Sequence, residues 1–591
     1  MHRHCSPCFA CMWRDSRTPS RLFPPRGRAF LPKLLPTPHT ALGGVALSGM
    51  RSPLGHNYSL DHASLRRSLV HLGDSSHFQH LHTSLKAGEP LTVGVIGASV
   101  AQNGGCIHQP GQRCMQFNGG VPVKLEWMNE RRQHKGFAVR LVELLKAAWP
   151  RSQPTLVNAA QDATPAQNML PCLFTHLPRN VGLVVVEFGS LALHLRLPAA
   201  EAIARKLLGL RPPPVVVFLT IRGLCKRSKE ETPETIRYTL GSHWELYTRN
   251  ESTAWSRAEA EFGRICVHYG LSCVSLYEAV IDQMLARRPG FSLRDVSIDC
   301  LHPSHGRFGT EYLTDLLANW LERGLGLRGE RAGGGSHDEE RWRTRGSATI
   351  EEAGSTPWPS ALPEPLHMQN RQPAPDGVCY SFGKMRSKAK SAISQRMRNL
   401  DWSTAQCRSD GACEPLNHTV CPRSNTARSA DPGFSYCQRA LSGKGGKGGK
   451  VSPGALALLP GAQLEFAPDT RLLSGGTRAD PQARLQAGLE YLISYESMGR
   501  AVLRCESRCS CREQRLDAHR TSTVHNESVF IRHFWQIRGA TDTCRISLRV
   551  LSESSSGGHK FKVRSLFIAP GDSGAQRLWQ RIDSPDGHGS S

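Results

Sequence analysis

The chain has 591 residues, with 74 Lys and Arg against 50 Asp and Glu, 19 cysteines and a formal net charge of +24 at pH 7. This length allows more than one domain with a proper core, and the excess of positive charge would suit an anionic partner. The motifs of a nucleic-acid reader, a basic helix or aromatics interleaved with arginines, are missing, so nucleic acid is not expected as a partner. No run of 18 apolar residues occurs, and no membrane-spanning helix is predicted.

Residues 1–87 are rich in Arg, Pro, Ser and His and show little apolar periodicity. This composition predicts a leader, disordered or targeting, that stays out of the core. An acid-poor, Arg- and Ser-rich start favours a plastid-type transit peptide. The many cysteines and four Asn-x-Ser/Thr sequons favour the secretory pathway or an extracellular location, which we prefer, with the plastid as the alternative. The sequons begin at Asn57, Asn250, Asn417 and Asn526.

Residues 88–326 alternate short apolar runs with amphipathic stretches, the pattern of βα units. The runs consist of Val, Leu and Ile, which predicts strands buried on both faces, in a parallel sheet with helices on each side. Ligands bind at the carboxyl ends of the strands in such a sheet. The predicted strands cover 91–97, 155–159, 183–188, 215–221 and 273–276, and the predicted helices cover 137–149, 199–210, 254–269 and 309–323.

Ser99 follows the first predicted strand in a Gly-Ala-Ser turn, whose small residues leave the hydroxyl accessible. Such a turn is common in proteins without catalytic function. Far downstream, Asp299 precedes His302 by three residues just before a helix, so the carboxylate can turn toward the imidazole and leave its other nitrogen free as a base. This spacing is also ordinary by itself. Together, the three residues supply a nucleophile, a base and an orienting acid within one domain.

The Gly-Ala-Ser turn, the strand running into Glu-Phe-Gly-Ser at 187–190 and the Asp-x-x-His-Pro sequence before the last helix resemble the SGNH (GDSL-type) hydrolase superfamily. The likeness is to an algal or plant-like member with a C-terminal β-rich domain. It implies a flavodoxin-like parallel sheet flanked by helices, with Ser99 as nucleophile, His302 as base and Asp299 as its partner. The implied reaction is acyl transfer from an ester through a covalent intermediate, without a cofactor or a metal.

The donors that would stabilise an oxyanion depart from the family pattern. The family carries a glycine in its second block and an asparagine in its third, whereas residues 158–164 contain no glycine and Leu191 stands where the asparagine is expected. Loss of one oxyanion donor costs roughly 10²–10³ in turnover. The donors that remain as candidates are Ser99, Ala160, Ser190, Gln102 and Asn103.

Two functions therefore stay open. The first is a carboxylic-ester hydrolase that removes acyl groups from a polysaccharide or another O-acyl ester. The second is a catalytically impaired protein of the same fold that binds a glycan or a protein partner in the same cleft. The identity of the ester and the oligomeric state are not determined by the sequence.

The rest of the chain divides by composition. Residues 327–375 are rich in Gly, Arg, Glu and Pro and are predicted to be a linker. Residues 376–570 contain cysteines and short runs rich in β-branched and aromatic residues, which predicts a β-sandwich domain. Its first expected role is packing against the α/β domain, with glycan binding and partner docking as alternatives. Residues 571–591 are predicted to be a disordered tail.

Some cysteines are placed to form disulfides or to bind a metal. The spacing of Cys505, Cys509, Cys511 and Cys544 lacks the paired Cys-x2-Cys knuckles of a zinc ribbon, which favours disulfides that staple the sandwich. Cys106 and Cys114 bracket a polar loop after Ser99, and we expect them to staple it.

Overall fold

The structure is a computed structural model. It describes residues 52–102, 122–123, 136–161, 163–227, 244–297, 300–304, 308–327, 361–371, 374, 377–381, 404–407, 413–415, 434–439, 451–468, 470–471, 480–495, 497–520, 528–541 and 544–571. Several residues singled out in the sequence, together with much of the predicted leader, linker and tail, lie outside these ranges; they include Asp299, Asn103, Cys106, Cys114, Asn417 and Asn526.

The helices begin and end close to the predicted limits, and the helix at 254–269 matches its prediction residue for residue. Thr253 and Ser256 form a capping box at its start, and Gly270 ends it in a left-handed conformation.

No helix of the described ranges is long and apolar enough to cross a membrane. The helices are α1 His62–Ser68, α2 Ser75–Ala87, α3 Ser99–Gln102, α4 Phe137–Ala148, α5 Ala166–Met169, α6 Leu173–His176, α7 Leu197–Leu208, α8 Ala254–Tyr269, α9 Leu276–Leu285, α10 Leu293–Val296 and α11 Gly309–Gly324.

The strands of the first half form a seven-stranded sheet among the described residues, with a separate antiparallel hairpin beside it. The sheet contains β1 Leu69–His71, β2 Thr92–Gly97, β3 Pro122–Val123, β4 Thr155–Asn158, β5 Leu183–Glu187, β6 Val215–Thr220 and β9 Ser272–Ser275. The hairpin pairs β7 Cys225–Arg227 with β8 Trp244–Leu246.

The five central strands of this sheet are parallel and lie in the spatial order β4-β2-β5-β6-β9. Numbered along the chain this is the order 2-1-3-4-5 of flavodoxin-like folds. Alternate residues of β5 face opposite sides: Val185 packs in one hydrophobic cluster and Val184 and Val186 in the other. Helices cover both clusters, so the predicted α/β class is confirmed.

The prediction that residues 1–87 form a leader outside the core is wrong for residues 52–87. Here α1, β1 and α2 join the α/β domain, with Leu65 and Phe78 fully buried in its core. Strand β1 pairs antiparallel with β9 at the sheet edge. The ring of Phe78 contacts Trp320 edge-on, with the centroids 5.6 Å apart. Apolar residues at 78, 81 and 85 carried a helical signal, which the polar composition between them obscured.

The segment before α1 is attached to α11 through buried carboxylates. Asp315 accepts hydrogen bonds from the backbone N–H groups of Ser59 at 2.7 Å and Leu60 at 2.8 Å, and its other oxygen lies 2.6 Å from His56 Nε2. Two turns further along α11, Glu322 accepts from the hydroxyl of Tyr58 at 2.7 Å. Carboxylates buried in this way are tolerated because each is hydrogen-bonded.

The second half of the chain consists of β-strands in two six-stranded sheets among the described residues. The first sheet contains β10 Val378–Ser381, β13 Ser435–Arg439, β14 Val451–Ala457, β16 Asp480–Ile493, β19 Val529–Ala540 and β21 Phe561–Pro570. The second contains β11 Thr404–Cys407, β12 Cys413–Pro415, β15 Gln463–Phe466, β17 Arg500–Ser507, β18 Gln514–Asp517 and β20 Arg545–Val550.

The two sheets share one hydrophobic core. Leu489 and Ile568 from the first sheet and Leu503 and Leu548 from the second belong to the same buried cluster. Every pair of neighbouring strands in both sheets is antiparallel. This arrangement confirms the predicted β-sandwich.

Ten of the described cysteines form five disulfides. Within the sandwich, Cys505 pairs with Cys511 and Cys509 with Cys544, which confirms the predicted disulfides. Three further pairs were not predicted, among them one that joins the two domains. They are Cys172–Cys379, Cys225–Cys300 and Cys266–Cys273.

Residues 361–371 lie within the predicted linker, but they pack against the α/β domain. Glu201, buried on α7, accepts hydrogen bonds from the backbone N–H groups of Leu366 at 2.6 Å and His367 at 3.0 Å. Its carboxylate also binds His367 Nδ1 at 2.6 Å and Asn370 Nδ2 at 2.7 Å. This part of the linker is therefore a fixed strap, and the linker prediction is wrong for it.

The strap makes stability depend on pH. Burial lowers the pKa of His367, but its hydrogen bonds to Glu201 and Glu261 outweigh burial and raise it to about 9. Because the pKa of His367 is higher in the folded than in the unfolded protein, its protonation stabilises the fold. This contribution is complete below pH 6.5, the unfolded pKa, and is lost as the pH rises through 9. The ring is 20% exposed, so we expect a loss of about 2 kcal/mol in the free energy of unfolding between pH 6 and 10.

The measurement is denaturant unfolding of the wild type and His367→Gln at several pH values. The variant should be less stable at pH 6, and its stability should not show the decline that His367 causes between pH 6 and 10. The carboxylates of Glu201 and Glu261 do not add to this decline, because both have lowered pKa values and stay ionised over this range. Parallel stability curves for the two proteins would contradict the prediction.

Candidate active site

Ser99 lies at the carboxyl ends of the parallel strands, at the point where the strand order reverses. Strand β2 sits between β4 and β5, and the chain proceeds from β2 to one side of the sheet and from β5 to the other. A crevice for a ligand opens at this point in parallel sheets. Ser99 begins α3 one residue after β2 ends, and it is 8% exposed. The topology therefore places the predicted nucleophile where such folds bind ligands.

The backbone before Ser99 is fastened on both sides. Ala98 N donates to Glu187 O at 3.1 Å, and Gln161 N donates to Gly97 O at 2.9 Å. Gly97 has a φ of 153°, and a Cβ atom at this position would lie 2.1 Å from Glu187 O. Only glycine allows strand β5 to come this close. Rigid neighbours on both sides hold the serine in place.

Ser99 and His302 are in hydrogen-bonding contact, with 2.9 Å between Ser99 Oγ and His302 Nε2. In the tautomer that carries its proton on Nδ1, His302 accepts the serine O–H. This is the geometry in which an imidazole can remove the proton as the oxygen attacks an electrophile.

The loop that carries His302 is irregular but anchored. The Cys225–Cys300 disulfide links it to the hairpin of β7 and β8, and Leu224 N donates to Cys300 O at 2.7 Å. Ser297 Oγ donates to the carbonyl oxygen of His302 at 2.9 Å. These contacts fix the backbone around the imidazole from two directions. Asp299, the predicted orienting acid, lies outside the described residues, so its role stays a prediction.

Two of the predicted oxyanion donors already have acceptors. Ala160 N donates to Asn158 Oδ1 at 3.0 Å, and Ser190 N donates to Glu187 Oε1 at 3.0 Å. Leu191, where the resemblance predicts an asparagine, has a side chain that donates nothing. Ser99 and Gln102, two further candidates, are buried residues of α3. The last candidate, Asn103, lies outside the described residues.

Two buried polar residues beneath Ser99 were not predicted to organise the site. Asn158 donates from Nδ2 to Ala101 O at 2.8 Å and thereby joins α3 to the end of β4. Burial raises the pKa of Glu187, while hydrogen bonds from Ser190 and Ala101 and attraction to His302 oppose this rise. Polar residues that end apolar strands, as Asn158 and Glu187 do, were the available sequence signal.

Among the described residues, no group of three His, Cys, Asp or Glu side chains is arranged to hold a metal ion. The chemistry available at Ser99 and His302 is nucleophilic attack assisted by a base.

Comparisons with known proteins were made by sequence and by structure. No family model and no curated protein matches the chain. Among solved structures, it is similar to a two-domain esterase (CEX) active on acetylated mannans, co-crystallised with mannopentaose. The identity is 15% and the TM-score 0.44, over 87% of this chain and 99% of the other.

Two smaller proteins are also similar. One is a mutant of Axe2, an acetyl-xylooligosaccharide esterase from Geobacillus Stearmophilus, at 15% identity and a TM-score of 0.27 over 41% of this chain and 96% of the other. The second is a GDSL-like lipase from Parabacteroides merdae, at 11% identity and a TM-score of 0.27 over 41% and 97%. With TM-scores below 0.5, these similarities do not by themselves assign a family or an activity to this chain.

The disulfide between Cys225 and Cys300 should matter for the reactivity of Ser99. Replacing both cysteines by Ala removes the covalent anchor of the His302 loop, so we expect labelling of Ser99 by a fluorophosphonate to slow about tenfold. The measurement is the labelling rate of the folded protein. Its control is the double Ala variant of Cys266 and Cys273, a pair that joins α8 to β9 instead.

A disulfide that closes a long loop stabilises the folded state by about 2–4 kcal/mol, so the double Ala variant of Cys225 and Cys300 should also unfold more easily. Equal labelling rates in the two double variants, measured where both are folded, would contradict the prediction.

Proposed function

We propose that the protein is a carboxylic-ester hydrolase that acts through an acyl-enzyme on Ser99. The observation that carries the proposal is the 2.9 Å contact between Ser99 Oγ and His302 Nε2 at the strand-order switch point. Its supports are the anchored backbone on both sides of the contact and the limited exposure of the serine. An anchored pair of this kind suits acyl transfer, because the nucleophile must be aligned before the substrate arrives.

The reaction follows in two halves. Ser99 Oγ forms a bond to the carbonyl carbon of the ester while His302 Nε2 takes its proton, which gives a tetrahedral oxyanion. The oxyanion collapses, the bond to the leaving oxygen breaks, and the imidazolium returns the proton to that alcohol. Water then attacks the acyl group on Ser99 with His302 again as base, and the carboxylic acid and free serine are released.

Asp299 is proposed to accept a hydrogen bond from His302 Nδ1–H. This would hold the tautomer in which Nε2 is free and would stabilise the imidazolium that forms. The oxyanion is proposed to be held by the backbone N–H of Ser99 and by the side chain of Gln102, both on α3, while the backbone N–H groups of Ala160 and Ser190 donate to Asn158 and Glu187.

The proposed substrate is a small acyl ester on a polysaccharide or another O-acyl ester. The esterases named above act on acetylated mannans and acetyl-xylooligosaccharides, which belong to this class. The five disulfides described in the structure support a protein that folds in an oxidising compartment, and a secretory or extracellular location is proposed on that ground. Asn57 and Asn250, the sequons described in the structure, are exposed.

A second candidate is a non-catalytic protein that binds a glycan or a protein in the same cleft. The observation that favours it is the commitment of two predicted oxyanion donors to internal acceptors, together with Leu191 in the asparagine position. Without sufficient stabilisation of the oxyanion, attack by Ser99 would stall.

The test is hydrolysis of p-nitrophenyl acetate and acetylated mannan by the wild type, Ser99→Ala and His302→Ala. We expect turnover by the wild type and a loss of about 10⁴-fold or more in both variants, because either change removes the nucleophile or its base. Matched controls are Ser252→Ala and His268→Ala, which lie outside the site and should retain wild-type rates. A folded wild type with no Ser99-dependent turnover and no fluorophosphonate labelling would overturn the esterase proposal.

Asp299→Asn separates the orienting acid from the base. The substitution keeps the shape but stabilises the wrong tautomer of His302, so kcat should fall by about 10⁴-fold with little change in KM. Wild-type kcat in this variant would remove Asp299 from the mechanism while leaving Ser99 and His302 in it.

A further inference from the structure

The loop after β4 borders the candidate active site. Its first residues are tied to the strand that precedes Ser99, because Gln161 N donates to Gly97 O at 2.9 Å and Ala159 N donates to Val95 O at 2.8 Å. The backbone of residues 159–161 is therefore part of the frame that holds the end of β2, on which the proposed reaction depends.

The β-sandwich holds the far end of this loop. Phe530, on the edge strand β19, donates its backbone N–H to Ala163 O at 3.1 Å and accepts from Asn168 Nδ2 at 2.6 Å. Ala163 has a φ of 53°, a left-handed conformation that costs a residue with a side chain of order 1 kcal/mol or more. The contact with the second domain stabilises this conformation.

Arg564 of β21 reinforces the same contact with a buried charge. Its Nη1 donates to the hydroxyl of Thr164, and its guanidinium lies 3.3 Å from the centroid of the Phe530 ring. Glu490 lies 3.8 Å from the same Nη1. Arg564 is 4% exposed, and Thr164, Phe530 and Glu490 are buried as well. Burying a guanidinium is costly unless it is paired and hydrogen-bonded, so a buried pair of this kind is weak evidence for a contribution to stability.

We propose that Arg564 is a positioning residue for the active site, through which the β-sandwich sets the loop that borders Ser99. The inference rests on the proposed esterase function. It assigns the second domain a part in catalysis, in addition to the packing role that the sequence suggests. Arg564 itself touches neither substrate nor the reacting atoms and acts through Thr164 and the loop.

Arg532 provides a matched control. It is also 4% exposed, and its Nη2 lies 3.4 Å from Glu490 and donates to Ser565 Oγ at 3.0 Å. On the α/β domain, however, Arg532 Nη1 donates to Cys172 Sγ at 3.1 Å, outside the loop after β4. Removing either arginine deletes one buried charge beside Glu490, and the hydrogen bond from Arg564 to Thr164 distinguishes the two.

The experiment compares Arg564→Met with Arg532→Met in the full chain, measuring kcat and KM for p-nitrophenyl acetate and the free energy of unfolding. We expect both variants to be less stable. In Arg564→Met kcat should fall about tenfold to a hundredfold with KM within about twofold, because displacement of the site by about 1 Å has effects of this size. Arg532→Met should keep kcat within about threefold of the wild type where it is folded.

Thr164→Val keeps the inference testable if Arg564→Met does not fold. It retains the shape of the side chain and removes the acceptor, so kcat should fall in the same direction. Where both single variants fold, the double variant should lose less than the product of the single losses. Wild-type kcat in a folded Arg564→Met, or in Thr164→Val, or an equal loss in the two arginine variants, would overturn the inference while leaving the esterase proposal intact. A wild type without turnover would overturn both.

Discussion

The hydrogen bond between Ser99 Oγ and His302 Nε2 joins side chains 203 residues apart in the chain. Local structure alone places neither of them, since Ser99 follows the end of a strand and His302 lies in an irregular loop. On the serine side, Ala98 is hydrogen-bonded to Glu187 at the end of β5, and Gly97 to Gln161 in the loop after β4. On the histidine side, a disulfide and backbone hydrogen bonds hold the loop. The alignment is thus built before a substrate arrives, which is the condition for efficient acyl transfer.

Buried carboxylates attach two irregular segments to the α/β domain. Asp315 holds the segment before α1, and Glu201 holds the strap at 361–371. A carboxylate in the interior must be hydrogen-bonded, and backbone N–H groups satisfy it whatever side chains the segment carries. Segments with the composition of a leader or a linker can therefore be ordered parts of the fold. Their order depends on acids supplied by α7 and α11.

The β-sandwich and the α/β domain meet next to the candidate site. The Cys172–Cys379 disulfide crosses between the domains, and Phe567 and Ala569 of β21 pack in the same small cluster as the two sulfurs. The contacts of Phe530 with Ala163 and Asn168 continue this boundary toward the loop after β4. The second domain stabilises the first at the place where the first would perform its chemistry.

The sequence by itself determined the alternation of strands and helices, the parallel sheet, the sandwich and the identity of Ser99 and His302 as a candidate pair. These follow from periods of two and 3.6 residues and from short motifs, which any local window contains. The tertiary structure decided the rest. It shows that residues 52–87 join the core, that the backbone N–H groups of Ala160 and Ser190 donate to Asn158 and Glu187, and which cysteines pair. Ser52 binds Glu322 across 270 residues, Cys172 pairs with Cys379 across 207, and Arg564 reaches Thr164 across 400. Contacts over such separations depend on how the whole chain packs, and no local pattern encodes them.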